Sequence, residues 1–294
     1  MRNIILGTDW WTDCDDAVAV RVLARAAKAG KIKLLGIGLN ACMEDSAASM
    51  DAFLCGEDVR NIPIGLDREA TDFGGIPTFQ KNLASRAEKY HSNTDTEDAV
   101  RLYRRLLSEA EEPVEIIEIG FMQVIAAVLQ SGPDDISEKC GIDLFREKVK
   151  KVWAMAGKWD KDGETEHNFC NNIRARVGGE AFCRLCPVPV TFLGFEVGYG
   201  VISGSKLSGG DNLYGVMCDH GSPNGRHSWD PMTALMAIIG DEKEAGYDIV
   251  CGTARVDAGT GQNHFEENTD GLHCYVVKKY PDQWYADAID AVIG

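Results

Sequence analysis

Short aliphatic, β-branched runs alternate with longer amphipathic stretches from one end of the chain to the other. Seven runs read as strands: Asn3–Gly7, Lys33–Gly38, Ile62–Leu66, Val114–Gly120, Val149–Ala156, Val188–Leu193 and Tyr247–Cys251. Each is continuously apolar rather than alternating, the pattern of parallel strands buried on both faces. Between the first two, Asp15–Ala29 reads as a helix with Arg21, Arg25 and Lys28 on one side, stopped by Gly30. A second clear helix opens at Asp230-Pro231, with Asp at the cap, Pro in the first turn and a stripe of Met232, Leu235, Met236 and Ile239. The alternation predicts an α/β fold, an open and mostly parallel sheet flanked by helices. No repeat or Pro/Gly-rich linker interrupts it, so residues 1–294 read as a single domain. Ala254–His273 is expected to form loops or an antiparallel edge hairpin, and Asp72–Asp95 carries the weakest pattern.

Composition narrows the function classes. The 294 residues are 45% hydrophobic and 26% charged, which excludes disorder, and the formal net charge is −16. A surface this acidic repels phosphate backbones and anionic membranes, so neither nucleic acid nor a membrane is expected as a partner. The first residues turn polar too soon for a signal peptide, and no apolar run approaches the roughly 18–20 residues that span a bilayer. Ten cysteines are scattered through apolar segments, among them Cys42, Cys55, Cys140 and Cys251. Reduced, buried thiols in a cytoplasmic protein are expected. Cys183 and Cys186 form a lone Cys-x-x-Cys with no second pair to complete a zinc site.

The candidate chemistry lies directly after the first strand, in Gly7-Thr-Asp9-Trp-Trp-Thr-Asp13-Cys-Asp15-Asp16-Ala17. Four carboxylates crowd one strand-to-helix turn, at the carboxyl end of a strand, where open α/β sheets bind ligands. Like charges this close cost several kcal/mol unless some are protonated or a cation neutralises them. Asp15 and Asp16 also suit the first turn of a helix, where its dipole favours negative charge. All-oxygen ligation selects a hard ion, Ca²⁺ or Mg²⁺, over zinc. The turn is not an EF-hand, lacking the glycine at the sixth position. Nor is it the Asp-x-Asp of phosphoaspartyl enzymes, because Trp11 stands at the second aspartate.

These residues resemble the nucleoside hydrolases (nucleoside N-ribohydrolases, inosine/uridine-preferring), whose signature Asp-Thr-Asp-Pro-Gly-x-Asp-Asp-Ala ends strand one. Thr8-Asp9 and Asp15-Asp16-Ala17 match its two ends, with two extra residues between them, tryptophans for Pro-Gly and Gly7 for the first aspartate. Four further islands follow in the family's order. Gly36–Asn40 ends strand two, where the family has an asparagine near the ribose. Glu118-Ile-Gly-Phe-Met-Gln123 resembles the segment whose threonine offers a carbonyl to the metal. Met155-Ala-Gly157 followed by Glu166-His-Asn168-Phe169 resembles the ribose-binding stretch. Trp229-Asp230-Pro231 resembles His-Asp-Pro, whose aspartate closes the metal site.

The resemblance implies a nucleoside-hydrolase-like fold and a Ca²⁺-dependent hydrolase that frees the base from a small-molecule nucleoside, in a homodimer or homotetramer. It implies a Ca²⁺ cage of Asp9, Asp16, Asp230 and the Gln123 carbonyl, with Asp9 also the general base. Asp15, Asn40, Glu166, Asn168, Trp229 and Asp230 would bind substrate. Such chemistry requires an activated water, negative groups around an oxocarbenium-like sugar, and a means for the base to leave. Trp229 replaces a histidine that protonates some leaving bases, and an indole cannot donate a proton in its place. His227, His264 or solvent would then supply it. Lys158 stands where the family has an asparagine, and Asp13 has no counterpart. Trp10 and Trp11 are candidates for a stacking wall or for core packing. Two other readings remain at this point: a catalytically silent nucleoside- or sugar-binding relative, and a Mg²⁺ phosphatase, which the missing nucleophile pair disfavours.

Overall fold

The computed structural model describes residues Met1–Gly294. Thirteen strands form in chain order: β1 (Arg2–Thr8), β2 (Ile32–Leu39), β3 (Ile64–Leu66), β4 (Glu97–Asp98), β5 (Val114–Glu118), β6 (Val149–Met155), β7 (Glu164–Thr165), β8 (Val190–Leu193), β9 (Ile202–Ser203), β10 (Arg226–His227), β11 (Tyr247–Val256), β12 (Gln262–Glu267) and β13 (His273–Lys278). Eleven make one sheet in the order β4-β3-β2-β1-β5-β6-β8-β13-β11-β12-β7, and β9 pairs with β10 apart from it. From β4 to β13 every pair is parallel.

The strand order reverses direction at β1, which lies between β2 and β5. That switch point leaves a crevice beyond the carboxyl ends of the strands, where connections leave in opposite directions. The acidic turn lies there. Helices cover both faces, and β1 is buried on each: Ile4 and Leu6 enter one apolar cluster, Ile5 the other. Burying such a side chain contributes roughly 1.5–3 kcal/mol.

All seven expected strands form, but Tyr247–Val256 is not parallel. It runs antiparallel to both β12 and β13. Its residues are only partly buried in alternation, the signature of a half-covered antiparallel strand. The Ala254–His273 segment contributes the hairpin partner β12.

Arg21 also departs from a simple surface stripe. It is buried within the helix Asp15–Lys28, its guanidinium 2.6 Å from Glu57 and 2.8 Å from Asp211. The cysteines are not all reduced: Cys251 and Cys274 face each other across β11 and β13, with Cα atoms 4.2 Å apart, and form a disulfide. The other eight are free. Cys183 and Cys186 are buried in the apolar core, where burial pushes the Cys186 thiol up to about 12. No helix is long and apolar enough to cross a membrane.

Candidate active site

After β1 the chain turns through Trp10, whose φ of 47° is left-handed. Such a conformation costs a non-glycine residue roughly 1–3 kcal/mol and persists only where its surroundings hold it. Here they do. The indole is fully buried against Phe53 and Phe79, and its Nε1–H donates to Ser49 Oγ at 2.8 Å. The Trp10 amide donates to Asp16 Oδ1 at 3.2 Å, and the Thr8 hydroxyl donates to the same oxygen. Trp10 is therefore core, while Trp11 faces the crevice.

The helix beginning at Asp15 packs beside the helix Trp229–Ile239. Both helices present their amino-terminal turns at the crevice, and the Asp230 amide donates to Asp15 Oδ2 at 3.2 Å. Ligand oxygens of Asp15, Asp16 and Asp230 all lie within 4.8 Å of one another, and all three residues are buried. Asp230 lies inside the first turn, not at the cap; Ser228 holds that position. The two helix dipoles offset part of the repulsion, but only a fraction of a charge each.

The electrostatics reflect that shortfall. Burial pushes Asp15 well above its ordinary pKa, and the charges of Asp13 and Asp16 push it further. Asp16 and Asp230 are raised well above theirs for the same reasons. Asp9, half-buried at the end of β1, is pushed up to about 8 by burial and by the charges of Asp15, Asp13 and Glu118. Asp13 behaves differently. Burial, the largest influence, raises it, but the hydrogen bonds and charge of Arg226, with the Cys14 amide, together hold it below its ordinary value. The Arg226 Nε lies 2.9 Å from Asp13 Oδ1.

A cavity of about 230 Å³ opens above the cluster. Asp9, Asp13, Asp15, Asp16 and Asp230 line it together with Glu166, Asn168 and Trp229. Glu166 caps the short helix His167–Cys170: Oε1 accepts from the Asn168 amide and Oε2 from the Gly157 amide, each at 2.9 Å. Burial still pushes its pKa up to about 7. Asn168 donates through Nδ2 to the Met155 carbonyl at 2.9 Å. Its Oδ1 accepts nothing from the chain and is available to a ligand hydroxyl.

Two expected site residues lie elsewhere. Asn40 is buried beneath the crevice, its Nδ2 donating to Glu118 Oε1 at 2.7 Å and its Oδ1 accepting from the Phe121 amide at 3.0 Å. Both polar atoms help to join β2 to β5, and Asn40 does not line the cavity. Gln123 begins a helix, which turns its carbonyl into the first helical turn. Its side chain lines a separate hollow with Asp67 and Arg174.

Glu118 explains one sequence departure. A side chain at Gly7 would fall on the Glu118 carboxylate, so β5 supplies an acid where β1 gives up the family's first aspartate. Burial pushes Glu118 up to about 8. The Trp229 Nε1–H donates to the Phe195 carbonyl at 2.7 Å and is unavailable to a ligand; only the ring faces the cavity. Lys158 points outward to Asp160 and Glu164, while Asn263 binds its backbone. His227 and His264 do not line the cavity; Arg226, Phe195 and His167 do. The sequence signal for Arg226 was slight, a cation three residues before Trp229.

No protein-family model matches the chain, and no curated protein matches it in sequence. Solved structures do. A plant nucleoside hydrolase superposes with a TM-score of 0.74 at 14% identity, covering 99% of this chain and 98% of that one. The chain has the nucleoside hydrolase fold. A purine-preferring ribonucleoside hydrolase from Gardnerella vaginalis gives 0.73 at 16% identity, over 99% and 98% of the two chains. An inosine-uridine preferring nucleoside hydrolase from Bacillus anthracis gives 0.67 at 15%, over 100% and 99%.

Proposed function

We propose that this protein is a metal-dependent N-ribohydrolase that releases the base from a ribonucleoside, with Ca²⁺ as the metal. One observation carries the reading: three buried carboxylates from opposite ends of the chain converge, without a matching side-chain cation, at the floor of a cavity. Oxygen-only donors around such a point fit a hard divalent ion. A bound ion supplies positive charge that offsets the repulsion and acidifies water. Asp15, Asp16 and Asp230 would hold it, with Asp9 at its edge.

The remaining roles follow from position. Asp9 takes the proton of the attacking water; a cation beside it lowers its pKa from the raised value and keeps it ionised as a base. Glu166 is fixed by two backbone amides, so its charge can stand opposite the developing oxocarbenium without moving. Asn168 Oδ1 accepts from a ribose hydroxyl, which orients the sugar. The rings of Trp11, Trp229 and Phe195 give the base an apolar wall.

The test is base release from inosine, uridine and adenosine, with Ca²⁺ and after chelation. Release that chelation abolishes and Ca²⁺ restores supports the reading. Nucleoside binding without release would instead favour a silent sugar-binding relative.

A further inference from the structure

We propose that His167 protonates the departing base as the glycosidic bond breaks; this assignment rests on the base-release reading above. His167 sits between Glu166 and Asn168 and is the one imidazole in the cavity wall. Its ring lies against Trp11, with centroids 5.8 Å apart and planes 22° apart, and against Phe121 at 5.5 Å. Phe121 is itself stacked on Phe73 at 3.7 Å, so the imidazole rests on a fixed aromatic shelf. The Asn171 side-chain amide lies 3.3 Å from Nε2, and Nδ1 has no partner in the chain.

The other donors are excluded by geometry. The Trp229 N–H is held by the Phe195 carbonyl, and an indole is no acid at neutral pH. Arg226 is locked to Asp13 and remains charged. His264 is turned to Asp162, 3.1 Å away, outside the cavity. His227 stacks on Tyr199 behind Trp229 and also lies outside it. Glu166 is held by the Gly157 and Asn168 amides, one on each carboxyl oxygen, and the aspartates of the cluster are taken up by the ion and the attacking water.

The step balances. As the C1′–N bond breaks, its electron pair goes to the base, and the imidazolium gives its Nδ1 proton to a base nitrogen. Water bonds through oxygen to C1′ and yields its proton to Asp9. Solvent then reprotonates His167 and takes the proton from Asp9, so one water is consumed for each base freed.

Two substrates isolate this role. Inosine needs its base protonated, whereas p-nitrophenyl β-D-ribofuranoside expels an anion that needs no proton. His167→Gln keeps a polar side chain without acid chemistry, and His167→Phe keeps the stacking surface. For both variants of the full-length Ca²⁺-loaded protein, the ratio of kcat on inosine to kcat on the nitrophenyl riboside should fall by about 10²-fold or more. Equal losses on both substrates, a loss confined to the KM for inosine, or no loss at all would overturn the assignment. Wild-type protein that hydrolyses neither glycoside would overturn the base-release reading itself, and this proposal with it.

Discussion

Two regions of this protein bury carboxylates to the same depth and treat them in opposite ways. Glu57 is 5% exposed and Asp15 3%. Glu57 has the Arg21 guanidinium at 2.6 Å, and Asp211 shares the same cation at 2.8 Å. Burial raises Asp211, but that hydrogen-bonded cation and the Tyr214 and Leu213 amides together hold it below its ordinary pKa. Asp15, Asp16 and Asp230 have no cation bonded to them, only amide and hydroxyl donors and two helix amino-termini, and all three are raised well above theirs. Two unit charges 4 Å apart interact by about 4 kcal/mol at an effective dielectric of 20, so the second arrangement is expensive unless neutralised. The contrast separates structural charge from functional charge. Where the chain carries its own counterion, the group serves the fold. Where it leaves the charge open beside a cavity, it is built for something that arrives from outside.

Breaking each region should therefore damage different properties. In the open cluster, Asp9→Asn is expected to lower kcat for base release by roughly 10²–10⁴-fold without lowering the urea unfolding midpoint, because it removes a raised carboxylate. In the matched region, Arg21→Ala strands Glu57 and Asp211 and should cost about 3–5 kcal/mol in urea unfolding, with activity per folded molecule retained. If Arg21→Ala abolished activity without loss of stability, the division would fail.

The cluster should also reveal itself through pH. Its folded pKa values are raised, to about 8 for Asp9, above an unfolded value of roughly 4. The folded state thus binds more protons than the unfolded one, and metal-free stability must decrease as pH rises through the window from about 4 to 8. Thermal unfolding of chelated protein should show Tm falling across that range, by roughly 1.5–2 °C for each kcal/mol lost. Saturating Ca²⁺ should flatten the fall; an identical slope with and without the ion would contradict a shared site. The smallest effect belongs to the half-exposed pair at the cavity rim. Arg226→Ala should change stability by no more than about 1 kcal/mol, because its bond to Asp13 is reached by solvent.

Much of this was readable from residue order, and the failures have physical causes. The parallel strands were legible because burial on both faces leaves an uninterrupted apolar run, as in Ile4-Ile5-Leu6. The antiparallel end was legible only as loops or an edge hairpin over Ala254–His273; β13 was missed because it is half-exposed and carries mixed residues. Asp9, Asp15 and Asp16 declare themselves by local crowding. Asp230 needed a motif, since nothing local says that a helix 215 residues after Asp15 returns to the same place. A motif gives a residue's position on a strand end or helix start, not the direction of its polar atoms: Asn40 Nδ2 turns to Glu118 and the Gln123 side chain to a separate hollow. Arg226 escaped notice because its meaning lies in Asp13, far away in sequence.

Isothermal titration of chelated protein with Ca²⁺, comparing wild type with Asp230→Asn, tests the central claim most directly. The account predicts one ion bound per wild-type chain. In the variant, affinity should fall by more than the roughly 10–100-fold that outer-shell changes cost. No Ca²⁺ binding by wild type, or equal binding by the variant, would contradict it.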